Sequence, residues 1–349
     1  MGNFVSNVGG SIIDGIKDLF TRKADKNDNK LFPQIEISKP FQFKYDGSEI
    51  FWCEWWTLYF YDYDGQSENR KIFGMINYIF IKSLNEIGRC IVYPAVCCDN
   101  ISHNAWDIYK LEDFVVSDNE VSIGKNKIIK NGEDIYTFSG ASTDGKIKWN
   151  ITINRKKHDP ISVAQKIKMG LDTKINIPVL ENISFASIIP LGYISGSVDI
   201  DDASYGLTQY GEMEHLWGPA VLPLLNWNMM FGSDINNNLI FWLHSPTVSN
   251  VEEKGCVYLN LNGKEYLLRD YDMSEIINDN EYPNEINIKS TLENIEIKYE
   301  IISISASNKG SASENHVKVT VIHDKNNIYT LYGIAEYYRK KIRALEIME

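Results

Sequence analysis

The stretch EMEHLWGP (residues 212–219) gathers two carboxylates and an imidazole beside an indole and a glycine. A carboxylate next to an imidazole can tune its pKa near neutrality, which suits acid/base catalysis. In an extended strand Glu212 and Glu214 share one face, while His215 and Trp217 share the other. Glu214 and His215 are therefore candidate catalytic residues. A structural strand end, with the histidine bonded to a backbone carbonyl, would give the same pattern.

A second candidate acid lies in FWCEWWTLYFYDYDG (residues 51–65), an apolar strand that ends in an Asp-Gly turn. Alternation along this strand places Glu54 on one face with Trp52 and Trp56. If that face points inward, burial favours the protonated carboxyl, which suits a general acid. The alternative is that the indoles lie outside and pack under a neighbouring element.

Two further apolar runs, NWNMMFGSD and LIFWLHSP, carry isolated polar groups. This pattern is typical of the lining of an apolar ligand pocket, although core packing produces it too. Met229 belongs to a pair of flexible thioether side chains that can adapt to an irregular ligand. The candidate ligand-binding residues are Trp56, Tyr210, Trp217, Asn226, Trp227, Met229, Trp242 and His244.

Several function classes are excluded by what the sequence lacks. The six histidines show no HxH or HExxH spacing, and the five cysteines form no CxxC pair, so no metal site and no disulfide framework are predicted. There is no Walker loop, GxGxxG turn or GxSxG elbow, so no cofactor is predicted. The net charge of -12 argues against a nucleic-acid partner and favours a hydrophobic small molecule. Reduced thiols and the absence of an apolar run of membrane-spanning length predict a cytoplasmic protein.

From about residue 35 the chain predicts antiparallel β structure. Short runs rich in Ile, Val, Tyr and Phe are separated by turn signals such as Asp144-Gly145 and Asn262-Gly263. So many strands across 349 residues favour two barrels or sandwiches in tandem. The prolines of WGPAVLPLL place the domain boundary near residue 219, which gives domains 35–219 and 220–349. The sequence LYGIAEYYRKKIRAL (residues 331–345) predicts a C-terminal helix.

Residues 1–34 are predicted to form an amphipathic helix and a polar linker. Apolar side chains recur every four residues from Phe4 to Phe20, as on one face of a helix. This helix could pack on its own domain or make peripheral membrane contact through residues 2–20. Gly2 with Ser6 also fits the short N-myristoylation pattern.

The order of these motifs, EWWTLYFYD, then EMEHLWG, then NWNMMFG with LIFWLHS, resembles the hydroxyneurosporene synthase (carotenoid hydratase) superfamily. That superfamily includes AttH-like proteins and fungal decalin-forming Diels–Alderases. Glu214, His215, Trp217 and Gly218 match its Asp/Glu-His-x-Trp-Gly positions. The chain departs from the pattern at Glu212, where the family usually has a tyrosine.

The resemblance implies an all-β fold of two tandem lipocalin-like antiparallel barrels. It also implies a cofactor-independent enzyme that hydrates or cyclises a long apolar, isoprenoid- or polyene-like substrate. Glu214 or Glu54 would donate a proton, His215 would orient or return it, and tryptophans would line the pocket. A similarity to fungal tandem-lipocalin proteins keeps open a lipid carrier that docks through its N-terminal helix. A structural protein with a filled core is the third alternative.

Overall fold

The computed structural model describes residues 41–47, 52–62, 72–82, 88–99, 101–166, 182–218, 227–244, 255–277, 283–308 and 312–338. These residues are almost entirely β-strand, with one short 3-10 turn at Leu111–Asp113. All pairings between the strands are antiparallel. The predicted all-β fold of two tandem antiparallel units is confirmed, and each unit is a sheet curled into a half-barrel.

The first sheet has fourteen strands and is called the first barrel below. Its strands are β1 (Trp52–Asp62), β2 (Ile72–Lys82), β3 (Arg89–Cys98), β4 (Ile101–Asn104), β5 (Asp107–Lys110), β6 (Phe114–Val116), β7 (Glu120–Ile123), β8 (Asn126–Gly132), β9 (Ile135–Ala141), β10 (Ile147–Arg155), β11 (Ile161–Lys166), β12 (Asn182–Ile200), β13 (Ala203–Leu207) and β14 (Tyr210–Gly218). The main path runs β4-β3-β2-β1-β14-β12-β10-β9-β8-β7-β6.

The second sheet has nine strands and is called the second barrel. Its strands are β15 (Trp227–Ser233), β16 (Leu239–His244), β17 (Gly255–Leu261), β18 (Lys264–Leu268), β19 (Asp272–Ile277), β20 (Pro283–Ser290), β21 (Ile295–Asn308), β22 (Ala312–His323) and β23 (Asn327–Tyr338). Its order is β18-β17-β16-β15-β23-β22-β21-β20-β19. In both barrels, therefore, the first strand pairs with the last.

Three apolar clusters follow from side-chain alternation. One fills the first barrel and includes Trp56 and Phe60, and another fills the second barrel and includes Trp242. The third joins the two sheets: it contains Tyr59 from β1 and Phe241 from β16. Strands β1, β14, β15 and β16 are consequently buried on both faces, because each has one face in its own barrel and one in the contact between barrels.

The predicted C-terminal helix is wrong over residues 331–338, which form the end of β23. The apolar spacing of Leu331, Ile334 and Ala335 fits one helical face. This segment is instead part of a central strand that has β15 on one side and β22 on the other. A strand buried on both faces has a nearly continuous apolar run, and periodicity alone cannot separate that run from a buried helix.

Residues 339–349 lie outside the described residues. So do Gly2, the predicted N-terminal helix and the linker, and membrane contact through residues 2–20 stays a prediction. No helix in the described part of the chain has the length and apolar character needed to cross a lipid bilayer. The five cysteines are buried free thiols.

Candidate active site

The two motifs that the sequence singled out are paired side by side. Strand β1 lies antiparallel to β14, with Trp56 opposite His215 and Thr57 opposite Glu214. Because strand side chains alternate, this register sends Glu54 and His215 into the first barrel. Glu214 points from the opposite face toward the second barrel. Two candidate groups that are 161 residues apart in sequence therefore meet across one strand pair.

Glu54 and His215 form a buried carboxylate–imidazole pair. A Glu54 oxygen lies 2.8 Å from Nε2 of His215, and the two residues are 0% and 3% exposed. The backbone N–H of Lys44 donates to both Glu54 oxygens at 3.0 Å, and the indole N–H of Trp52 donates to Oε2 at 3.0 Å. A buried carboxylate needs such partners, and here two N–H groups and the Nε2 atom of His215 surround it.

The donors around Glu54 determine the proton arrangement of His215. N–H donors stabilise the carboxylate anion, so the proton shared with the imidazole belongs on Nε2, and the lone pair belongs on Nδ1. Burial lowers the pKa of His215, while the hydrogen bond and charge of Glu54 oppose this effect. The outcome is a neutral imidazole with Nδ1 available as a base, oriented by a buried carboxylate.

Aromatic rings enclose the imidazole on two sides. Trp56 stacks on it with ring centroids 4.7 Å apart and planes 14° from parallel. Trp217, which follows on the same face of β14, has its ring centroid 4.7 Å from that of His215. Apolar walls around one acid/base group are the arrangement that binds an apolar substrate and excludes water.

A short segment before β1, residues 41–47, covers this site and was not identified from the sequence. Phe41 lies edge-on to Tyr136, and Phe43 packs against Phe80 and Phe114. These aromatic anchors place the backbone of Lys44, the residue directly after Phe43, against Glu54. The alternation FQFKY was the available signal, but it predicts only a strand.

Glu212 and Glu214 lie on the other face of β14, in the contact between the barrels. Ser187 on β12 donates to Glu212, and Tyr59 on β1 donates to Glu214 at 3.4 Å. Burial raises the pKa of Glu212 to about 8, and burial together with the Glu212 and Glu336 carboxylates raises the pKa of Glu214. Burial and these carboxylates also raise the pKa of Tyr59. These glutamates therefore favour the protonated form, but they lie on the opposite face of β14 from His215.

The remaining predicted ligand-binding residues do not converge on one site. Trp242 and His244 belong to the interior of the second barrel, where Tyr271 bonds both side chains at 3.3 Å. Met229 faces the contact between barrels. Tyr210 lies at the outer end of β14 and accepts a hydrogen bond from Lys156. Asn226 and the side chain of Trp227 are outside the described residues.

Within the described ranges, no group of three or more His, Cys, Asp or Glu side chains has a geometry suited to a metal ion.

Structural comparison supports the fold expected from the two motifs. No sequence-family model and no curated protein sequence matches the chain. The AttH-type protein of Nitrosomonas europaea superposes with a TM-score of 0.60 at 10% identity, over 82% of this chain and 92% of that protein. Kievitone hydratase of Nectria haematococca superposes with a TM-score of 0.53 at 12% identity, over 82% of this chain and 89% of the hydratase. At the level of the fold, the resemblance to AttH-like tandem lipocalin proteins is confirmed.

Proposed function

We propose that the chain is a cofactor-independent enzyme that adds water to, or cyclises, an apolar substrate inside the first barrel. The observation that carries the proposal is the Glu54–His215 pair, buried and enclosed by Trp56 and Trp217. The fold shared with a hydratase agrees with the proposal and does not by itself establish it.

In the hydration reaction, Nδ1 of His215 accepts a proton from the attacking water while the water oxygen bonds to one carbon of a double bond that is conjugated to an electron-accepting group. The imidazolium then returns that proton to the neighbouring carbon, so that one water molecule has been added. Glu54 holds Nε2–H and stabilises the imidazolium by its charge. In cyclisation, Nδ1 of His215 accepts a proton from a hydroxyl or carbon acid of the substrate itself, that atom bonds to one carbon of the double bond, and the imidazolium returns the proton to the neighbouring carbon.

The aromatic walls bind the apolar part of the substrate. A long isoprenoid- or polyene-like chain would lie against Trp56 and Trp217, and burial of its apolar surface would hold the reacting carbons near Nδ1. Water exclusion strengthens the interaction between Glu54 and His215. Such a hydrophobic small molecule is the partner that we propose for this site.

The test starts with mass spectrometry of the ligand extracted from the purified protein, followed by turnover of that compound in ¹⁸O-labelled water. We expect His215→Asn to lower the rate by about 10²–10⁴-fold, the usual contribution of a general base. His103→Asn is the matched control, because His103 lies on β4, which is separated from β14 by three strands in the order of the first sheet. His215→Asn with an unchanged rate would exclude this centre.

Glu214→Gln separates this centre from the other candidate acid. The Glu214 side chain points away from His215 and into the contact between barrels. We therefore expect the turnover rate of Glu214→Gln to stay within a few-fold of the wild-type rate. A loss equal to that of His215→Asn would move the chemistry to the other face of β14.

A further inference from the structure

The side chain of Lys44 also lies at the Glu54–His215 site, where the backbone N–H of Lys44 donates to Glu54. Its ammonium lies 5.5 Å from the ring centroid of Trp217, which is the ring beside His215. The positive charge is near enough to His215 to contribute to the lowered pKa of the imidazole. A cation therefore lies at the end of the aromatic wall, next to the proposed base.

Lys44 has no carboxylate partner among the residues that the structure describes. Its ammonium donates one hydrogen bond, to the Gln42 side-chain oxygen at 3.0 Å. This hydrogen bond is exposed, so the ammonium lies at the solvent-facing end of the site, where a ligand oxygen would replace water as an acceptor for its other two N–H groups. The carboxylate beside it, Glu54, is instead held by the Lys44 backbone N–H, the Trp52 indole and His215.

In the proposed reaction, the Lys44 ammonium can stabilise negative charge that develops on the substrate. A neutral imidazole acts first as a base and removes a proton from the attacking water. Addition of the resulting hydroxide requires a double bond that is conjugated to an oxygen-containing group, because that oxygen takes up the negative charge. That oxygen gains charge as the bond to water forms, and a nearby ammonium stabilises the charge. An acceptor-free hydrocarbon in contact with the Lys44 ammonium would displace its water and supply no acceptor in exchange.

We propose that Lys44 is the specificity-determining residue of the first-barrel site and that its ammonium binds a negatively charged or strongly electron-accepting oxygen of an otherwise apolar ligand. The ligand class is thus an amphiphile such as an unsaturated carboxylate, enolate or conjugated ketone. Its oxygen contacts Lys44, and its apolar body lies on Trp217 and Trp56. This inference rests on the location of the proposed site, but its test requires no turnover.

Two fluorescent probes with one shared skeleton test the charge preference. Anilinonaphthalene sulfonate carries an anionic group, and N-phenyl-naphthylamine is its neutral counterpart. Lys44→Met keeps an unbranched side chain that is only one atom shorter and leaves the backbone N–H to Glu54 intact. We expect this variant to weaken sulfonate binding on the order of tenfold, as loss of a charge-assisted hydrogen bond would, and to change binding of the neutral probe less than about twofold.

Two further variants serve as controls. Lys44→Arg retains the charge, so sulfonate affinity should recover to near wild type. Lys156→Met removes a cation that lies 4.6 Å from the rings of Tyr193 and Tyr210, on another part of the surface, and should leave both affinities unchanged. The His215 imidazole NMR signal, assigned by its absence in His215→Asn, should shift when the sulfonate binds.

Equal losses for both probes in Lys44→Met, an unchanged sulfonate affinity, or a His215 signal that does not respond to the sulfonate would each overturn the role of Lys44. None of these results would change the turnover comparison of His215→Asn with wild type. A failed charge preference and a failed acid/base function are therefore distinguishable.

Discussion

At the scale of single residues, the strand pair β1–β14 separates two kinds of acid. Inside the first barrel, Glu54 is held by N–H donors and acts as a partner to His215. On the opposite face, Glu212 and Glu214 have only hydroxyl donors, and one oxygen of each has no hydrogen-bond partner among the described residues. Burial without cationic partners favours the neutral carboxyl, so the strand pair places a carboxyl held by N–H donors on one face and carboxyls that favour the protonated form on the other.

The protonated state of Glu212 gives a prediction for stability against pH. Its pKa is about 8 in the folded protein, above the ordinary value of 4.5, so between these values the folded state binds more protons than the unfolded state. Stability from this group is fully present below pH 4.5 and is lost as pH rises toward 8, at up to about 1.4 kcal/mol per pH unit. Glu212→Gln cannot ionise, and its free energy of unfolding should fall less over this window.

Urea unfolding at pH 5, 6, 7 and 8 measures the effect. Glu112→Gln is the control, because Glu112 is exposed and should follow the wild-type curve. If the wild-type and Glu212→Gln curves run parallel from pH 5 to 8, Glu212 is already ionised in the folded protein.

Period-2 alternation was enough to predict how these residues divide between the faces of their strands. It correctly grouped Glu54 with Trp56 and His215 with Trp217. It could not pair Glu54 with His215, because the register between strands 161 residues apart depends on the whole sheet. Lys44 was missed for a related reason: its role comes from where Phe41 and Phe43 anchor the segment, and neither contact is local in sequence.

At the scale of elements, β23 is where sequence and structure differ most, and Gly333 tests the difference. Gly333 lies opposite Gly232 on β15, and a Cβ on Gly333 would stand 1.8 Å from the carbonyl oxygen of Phe231. Because the close neighbour is backbone, Gly333→Ala should destabilise the protein by about 1–3 kcal/mol. In the helix that the sequence predicted, the same substitution would stabilise by roughly 0.5–1 kcal/mol, so the two structures give opposite signs.

The control for this substitution is Gly206→Ala on β13, where an added Cβ meets no atom within 4 Å. Its free energy of unfolding should stay within about 1 kcal/mol of wild type. A stabilised Gly333→Ala would contradict the strand assignment of residues 327–338.

The hairpins at Asp144-Gly145 and Asn262-Gly263 were predictable because their signals are local: β9 pairs with β10, and β17 with β18, across those turns. The helix predicted over residues 331–345 is wrong over 331–338 because a central strand loses the polar alternation by which strands are recognised. Turn residues thus predict which consecutive strands pair with each other. The pairing of the first strand of each barrel with its last strand depends on contacts between residues far apart in sequence, which turn signals do not predict.

At the scale of the whole molecule, the two barrels share a buried apolar contact. Phe185 on β12 stacks on Phe241 on β16, with ring centroids 4.5 Å apart and planes 14° from parallel. Tyr61 on β1 and Ser233 on β15 also share a hydrogen bond of 2.5 Å. Since β1 and β14 present Glu54 and His215 inward from the same strands that contact the second barrel, this contact supports the geometry of the proposed site.

A double-mutant cycle measures that contact. Phe185→Leu and Phe241→Leu should each cost about 1 kcal/mol in free energy of unfolding, and together they should deviate from additivity by about 0.5–1.5 kcal/mol, as expected for a stacked pair. Phe138, inside the first barrel, provides the control: Phe138→Leu combined with Phe241→Leu should be additive within about 0.5 kcal/mol. Additivity for the Phe185 and Phe241 pair would mean that the barrels do not stack at these rings in solution. In that case β14 would lack the support on its outer face that the proposed site requires.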